Sequence, residues 1–256
     1  MSRSAALSSL HRGLISRVDK AIREYALVEP GDRVLVAVSG GADSLSLVTL
    51  LLETRYLARW DLELVPVHVH MGFKPIDHEG LVRMREHLQR LGLELRIYDS
   101  QIGPLAHSDF NRANPCFLCA RLRRQRLFEI ADELGCGKLA FGHHRDDVVQ
   151  TFFLNLLYSR EISTMVPKQD FFGGRFYIIR PLYYVDKWML QRFAAEQGFP
   201  VFESGCPSSG RTERDRLAER IQQLVEGNKQ LYDNIFKALH RVKLDYLPRQ
   251  QPGGFR

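Results

Sequence analysis

The sequence predicts an α/β protein, a doubly wound parallel sheet with helical additions at both ends. Three observations carry that expectation. VLVAV (34–38) is a continuous β-branched run of the kind found in a strand buried on both faces. Apolar residues at i, i+3 and i+4, such as Leu47, Leu50 and Leu51, mark a helix directly after it. The two patterns then alternate, and strands joined through helical crossovers form a parallel sheet covered on both sides.

In chain order, Leu14, Val18 and Ile22 repeat every four residues, so residues 5–26 read as an amphipathic helix that VEPGD (28–32) ends. The strand at 34–38 and its helix follow. ELVPVHV (63–69) reads as a strand, with Pro66 arguing for an edge or a bulge. Residues 79–92 read as helix, LELRIYD (93–99) as strand and residues 100–115 as a polar loop with Gly103, Pro104 and Pro115. Residues 117–135 carry a helical face of Leu127, Ile130, Ala131 and Leu134 before the short strand KLAFG (138–142). Val149, Phe152, Phe153 and Leu156 face a helix over 145–158, and FYIIRPL (176–182) is the last strand. Residues 186–197, 212–226 and 229–244 then have helical period. The expected organisation is an N-terminal helix in 1–30, an α/β domain over 31–185 and a helical region over 186–256 carrying Cys206, with a frayed tail PRQQPGGFR.

Composition limits the function classes. The chain has 256 residues, 36 Lys+Arg against 30 Asp+Glu, 45% apolar and 26% charged residues, matching an ordinary globular protein. The longest near-apolar run, Leu47 to Leu52, is far too short to span a bilayer. MSRSAALSSLHRGLIS lacks an apolar block followed by a small-residue cleavage site, so no membrane and a cytoplasmic location are expected. Four cysteines in such a chain point to metal or redox chemistry rather than structural bridges.

Ser39-Gly40-Gly41-Ala42-Asp43-Ser44 lies between a buried strand and a helix start. Consecutive glycines permit positive φ and close approach to a ligand, and a helix start offers free N–H groups to phosphate oxygens. Asp43 would repel phosphate unless Mg²⁺ sits between them. As a plain turn, the segment would use Asp43 or Ser44 as an N-cap. It lacks the Lys of a G-x-x-x-x-G-K-[ST] loop and is not G-x-G-x-x-G, which excludes the two commoner nucleotide loops. Gly142-His143-His144-Arg145-Asp146-Asp147 opens a later helix, where i, i+4 spacing sets Asp146 by Gln150 and Asp147 by Thr151. Two acids there suit the helix dipole, but with His-His-Arg before them they can also place Mg²⁺ and neutralise phosphate at the ligand-binding edge of an open sheet.

Cys116 and Cys119 bracket a helix start after Pro115, so both thiols can point to one site, with pKa values lowered by the helix dipole. Two thiolates complete neither a zinc nor an iron–sulfur site, and Cys206 is the natural third ligand. Zn²⁺ completed by a histidine, or a redox dithiol, are the alternatives. Cys136, in LGCGKL, reads as a small buried residue. His68 and His70 share a strand face and are given no role.

SGGADS resembles the PP-loop of the adenylating N-type ATP pyrophosphatases, which split ATP into AMP and pyrophosphate on a parallel α/β sheet. The resemblance implies that Ser39, Gly40, Gly41, Asp43 and Ser44 hold the pyrophosphate end of ATP, with His143, Asp146 and Asp147 completing the nucleotide and Mg²⁺ site. GHHRDD followed by Gln150-Thr151, CFLCARLRR (116–124), Pro167-Lys168 and Ile179-Arg180-Pro181-Leu182 together resemble the tRNA 2-thiocytidine synthetases over about residues 31–200. That family implies a [4Fe–4S] cluster on Cys116, Cys119 and Cys206, with one iron open to hold sulfide. Its members have C-x-x-C near the third ligand, where this chain has GCPSSG with a single cysteine.

Asp43 and the three cysteines are thus the expected catalytic residues. The expected reaction is attack of a base carbonyl oxygen, the C2 oxygen of an anticodon-loop cytidine, on the α-phosphate, then replacement of AMP by sulfur. Arg145 or Lys168 would stabilise the phosphoryl charge. Arg121, Arg123, Arg124 and Arg126, with five basic residues in 237–256 and Arg12, Arg17, Lys20 and Arg23, form the expected RNA-binding surface. Partners would be tRNA, a sulfur donor such as a cysteine desulfurase and a second copy in a homodimer. A lysidine-synthetase-like ligase needs no cysteines, and a non-catalytic cluster-bearing RNA-binding or sensor protein needs no SGGADS.

Overall fold

The computed structural model describes residues 7–111, 115–202 and 205–247. Six strands form one sheet: β1 (Arg33–Ala37), β2 (Glu63–His70), β3 (Arg96–Asp99), β4 (Lys138–Ala140), β5 (Lys168–Phe171) and β6 (Phe176–Ile179). Their order is β3-β2-β1-β4-β6-β5, parallel except for β5. The α/β expectation stands, with one correction. The 168–179 stretch is an antiparallel hairpin, because Gly173 and Gly174 at positive φ let the chain reverse directly onto β6. The frayed-tail expectation and the basic residues Arg249 and Arg256 fall outside the described residues.

Alternate strand residues enter two separate cores. Val34, Val36, Leu64, Ala140 and Ile179 face a large cluster shared with α1 (Ser9–Tyr25), α2 (Ala42–Leu52), α4 (His78–Arg90), α7 (Arg145–Leu154), α8 (Lys187–Gln197), α9 (Glu213–Val225) and α10 (Lys229–Ala238). Leu35, Val65, Val67, Leu139 and Ile178 face the other side, covered by α6 (Pro115–Glu133). Helices α3 (Arg55–Arg59) and α5 (Ile102–Ala106) are short, and α5 interrupts the expected polar loop. Caps fix several helix starts: Ser8 accepts from the His11 N–H at 3.1 Å, and Asp77 accepts from the Gly80 N–H at 2.7 Å.

Pro66 corrects the edge expectation. β2 is an interior strand, and Pro66 pairs in register with Val36. The Val67 carbonyl accepts from Val38, so Val67 faces β1 and its neighbour Pro66 faces the β3 side. Pairing with β3 begins only at Val67↔Arg96, so the missing N–H points where there is no ladder to break.

Sequence order reverses direction on either side of β1 and β4. In open parallel sheets ligands bind at such a switch, beyond the carboxyl ends of the strands. SGGADS follows β1 and GHHRDD follows β4, so topology brings the two motifs together.

Candidate active site

The β1–α2 turn is built for close approach to a ligand. Gly40 has φ +90°, and a Cβ there would lie 2.3 Å from the Phe202 ring. Gly41 departs from the expected pair of positive-φ glycines: at φ −80° it is the extended N-cap of α2. No side chain caps this helix, so neither Asp43 nor Ser44 takes that role. The turn is instead braced from within: the Ser39 N–H and hydroxyl donate to Ser44 Oγ at 3.1 and 3.2 Å, and Ser44 Oγ donates to the Gly41 carbonyl at 2.9 Å. Opposite, Gly142 has no Cβ because one would sit 3.2 Å from the Asp43 carbonyl.

The second motif surrounds a buried imidazole with acids. His144 lies 3.4 to 3.7 Å from Asp147, Asp146 and Asp43. Burial alone would lower its pKa, but the three carboxylates outweigh this and raise it. Asp43 is raised, above all by burial, with Asp147 and Asp146 adding to the shift and His144 and Lys187 opposing it. Asp147 accepts from the His144 N–H at 2.9 Å and from Arg214 at 3.0 Å, and Arg214 also reaches Thr151 at 3.3 Å. Asp43 and Asp147 both face the same cavity, whereas Asp146 turns to accept from the Lys187 N–H at 2.8 Å. His143 stacks flat on Phe141, with ring centroids 5.5 Å apart and planes 2° from parallel. Burial drives its pKa down to about 3; Asp147 opposes this, while Arg180, Arg214 and Arg123 add to it.

A cavity of about 490 Å³ connects these motifs to two of the cysteines. Ser39, Gly41, Asp43, Ser44, His143 and Asp147 line one part; Cys119 and Cys206 line another; His68, His70, Phe73 and Phe202 complete the walls. His68 donates through Nδ1 to the Val38 carbonyl at 2.8 Å, which holds it in the wall. Cys206 comes from a segment four residues beyond Phe202, whose N–H donates to the Gly40 carbonyl at 3.2 Å.

Cys116, Cys119 and Cys206 are free thiols within electrostatic reach of one another. The expectation of lowered thiol pKa values is corrected. Burial pushes both Cys116 and Cys119 up, and the neighbouring thiols add to it, outweighing Ser208 at Cys116 and Arg123 at Cys119. His107 donates through Nδ1 to Gly103 at 3.0 Å; its Nε2 accepts from Ser208 at 3.0 Å and lies 4.0 Å from Cys206 Sγ. Among the described residues no three His, Cys, Asp or Glu side chains close on one ion position. Cys136 is buried in the second core, its thiol pushed up to about 11 by desolvation.

Several expected cations lie elsewhere. Arg145 pairs with Asp186 at 2.8 Å and with Asp233, and its guanidinium lies 5.0 Å from the Phe236 ring centre. Lys168 donates to the Ala26 carbonyl at 2.7 Å. Neither lines the cavity, because each binds the framework instead. Arg126 is neutralised by Glu129 and Glu133 at 3.1 and 3.3 Å, and Arg123 turns inward, leaving Arg121 and Arg124 exposed. The expected four-arginine surface is therefore two. No sequence pattern marks Arg214, Phe202, His107 or Ser208; only their long-range contacts do.

The chain matches the PP-loop domain family over residues 12–225. It is 37% identical over 247 residues to the tRNA-cytidine(32) 2-sulfurtransferase of Alkalilimnicola ehrlichii, covering 94% of this chain and 76% of that protein. The protein of the same name from Syntrophotalea carbinolica is 36% identical, covering 93% of this chain and 92% of the relative. Among solved structures, the U34-tRNA thiolase NcsA of Methanococcus maripaludis, determined with its [4Fe-4S] cluster, superposes with a TM-score of 0.72 at 21% identity, over 94% of this chain and 82% of that one. An NMN synthetase from Francisella tularensis also shares the fold, with a TM-score of 0.50 at 15% identity over 95% and 97% of the two chains. The fold thus serves unlike chemistries, and family membership rests on sequence likeness. Matched over most of its length and more than a third identical to relatives of one name, the chain belongs to the PP-loop proteins and, within them, to the tRNA-cytidine(32) 2-sulfurtransferase family.

Proposed function

We propose that this chain uses ATP to replace the C2 oxygen of cytidine 32 in tRNA by sulfur. The observation that carries the reading is one cavity walled both by the Ser39–Ser44 loop and by Cys119 and Cys206. An adenylation centre and a thiol centre sharing one space suit a reaction whose two halves occur on one carbon. Asp43 and Asp147, both facing the cavity, would hold Mg²⁺ against the pyrophosphate, and Asp146 orients His144 behind them. The free N–H groups at the start of α2 would bind phosphate oxygens. The base oxygen attacks the α-phosphorus and pyrophosphate leaves; sulfur then adds to C2, the C–O bond breaks and AMP departs. The apolar walls, Phe73, Phe141 and Phe202, exclude water from the adenylated base.

Cys116, Cys119 and Cys206 would hold a [4Fe–4S] cluster, which when bound supplies sulfide at an iron that the protein leaves unligated. His107 and Ser208 brace the Cys206 segment against α5. Arg121 and Arg124 would meet the RNA backbone beside this end. The reading also takes in a sulfur donor such as a cysteine desulfurase, a homodimer, a cytoplasmic location and an ATP-binding unit over residues 31–185 flanked by residues 1–30 and 186–256. No helix of the described residues is long and apolar enough to cross a membrane.

Nucleoside mass spectrometry of tRNA from a deletion strain tests the reading. Loss of 2-thiocytidine, restored by the wild-type gene and not by a Cys206→Ala variant, is the expected result. An unchanged thionucleoside profile would sink it.

A further inference from the structure

We propose that Arg123, with His143, forms an anion subsite that holds the α-phosphate of the nucleotide between the loop and the thiols; this rests on the ATP-dependent reading above. Arg123 lies one helical turn after Cys119 and lines the cavity with it. Among the described residues no carboxylate pairs with its guanidinium, although Arg126, Arg145 and Arg214 each have an acidic partner. The titratable groups that act on it are Cys119 and Arg124 on its own helix and His143, which lines the same cavity. A guanidinium taken out of water without a counter-charge is unfavourable until an anion arrives.

The opposite wall has a matching unmet group. His143 Nδ1 is buried and has no hydrogen-bond partner, and the stacked Phe141 fixes the ring. Its surroundings keep the imidazole neutral, so it offers one directed hydrogen bond rather than a second charge. A guanidinium with no carboxylate partner among the described residues and an unpaired imidazole nitrogen, on two side chains that line one cavity, are a donor set for a phosphoryl group.

Position selects the α-phosphate. The loop takes the pyrophosphate end, the thiols take the sulfur end, and the phosphorus that joins AMP to the base must lie between them. Arg123 there neutralises charge as the base oxygen adds to phosphorus, and again as AMP leaves carbon. An RNA backbone phosphate is the other source of the same chemistry, but the exposed Arg121 and Arg124 serve that contact better than an inward side chain.

The test compares calorimetric binding of AMP, adenosine and ATP to the anaerobically purified full chain, as wild type, Arg123→Gln, Arg123→Lys and Arg121→Gln. Arg123→Gln should weaken AMP by about 10–100-fold while leaving adenosine unchanged, the loss expected for a charge-assisted contact. Arg123→Lys should give an intermediate loss and Arg121→Gln none. If Arg123→Gln does not fold, Arg123→Lys decides, and AMP binding at wild-type strength overturns the proposal. So does a fall in tRNA affinity with AMP unaffected, which would assign the phosphate to RNA. Loss of visible absorption with AMP unaffected would make Arg123 a counter-charge for the cluster, and also overturns it. A wild-type chain that binds adenosine and AMP equally refutes the subsite alone, whereas one that binds no ATP refutes the functional reading as well.

Discussion

The two ends of the cavity are built differently. The proposed phosphate end is made largely from backbone: two strand-to-helix turns at the sheet's switch point, with Gly142 against the Asp43 carbonyl and Gly40 against the Phe202 ring. The proposed sulfur end is made from side chains on three separate stretches, the start of α6, His107 after α5 and the 205–208 segment. Backbone sites are fixed by the fold, whereas side-chain sites depend on contacts between distant segments and are completed by what they bind. The difference predicts that the two ends fail separately.

The largest effects should show this. Asp43→Ala should cut pyrophosphate release by about 10²–10³-fold, the loss typical when a main electrostatic contact at the reacting phosphate is removed. Its visible absorption should match wild type. Cys119→Ala should do the reverse, losing the brown colour and thiolation while ATP binding holds. A zinc-loaded, colourless wild type that still thiolates would refute the cluster. Pyrophosphate release unchanged in Asp43→Ala would refute the loop assignment.

The join between the ends can be broken as well. Gly40→Ala places a Cβ 2.3 Å from the Phe202 ring at φ +90°. Strain and overpacking should together cost about 1–3 kcal/mol, read as a lower denaturant midpoint, with weaker ATP binding. Adding Phe202→Ala should relieve the overlap but not the backbone strain, recovering part of the loss. Full recovery would mean that the backbone at Gly40 is not strained.

The same contrast explains what was legible in the sequence. The phosphate end was readable because SGGADS and GHHRDD are contiguous, and each follows a strand whose β-branched or apolar run announces it. The alternation of strands and helices gave the α/β class for the same local reason. The sulfur end was readable only as far as its cysteines. His107 and Ser208 are 101 residues apart, and no local pattern pairs them. Arg214 reaches Asp147 from α9, and Arg123 turns away from the charge run that contains it, because burial is decided by tertiary packing. The antiparallel β5 is not legible because KQDF has neither β-branched residues nor a strand-like apolar run.

Acid should cost the fold stability through His143. His143 has a pKa of about 3 in the folded chain against 6.5 unfolded, so between those values the unfolded state binds the extra proton. Its contribution to stability is therefore present above pH 6.5 and lost as pH falls, at no more than about 1.4 kcal/mol per pH unit. The thiols, with pKa values raised rather than lowered, take no part in this range. His143→Asn should flatten the fall in melting temperature between pH 6.5 and 5. A wild-type slope retained in the variant would assign the acid sensitivity elsewhere.

The smallest expected effect separates RNA contact from framework at the sulfur end. Arg124 is exposed, and among the described residues no carboxylate pairs with it, whereas Arg126 two residues on is held by Glu129 and Glu133 and lies 5.4 Å from the Tyr98 ring centre. A phosphate contact releases counterions, so Arg124→Gln should weaken tRNA binding and reduce the slope of log affinity against log salt by about 1. Arg126→Gln exchanges an internally balanced charge and should leave that slope unchanged, at a stability cost below about 1 kcal/mol. The two residues lie two positions apart in one arginine run, so composition treats them alike. Equal slopes in the two variants would place the RNA on another face and leave Arg124 a solvated charge.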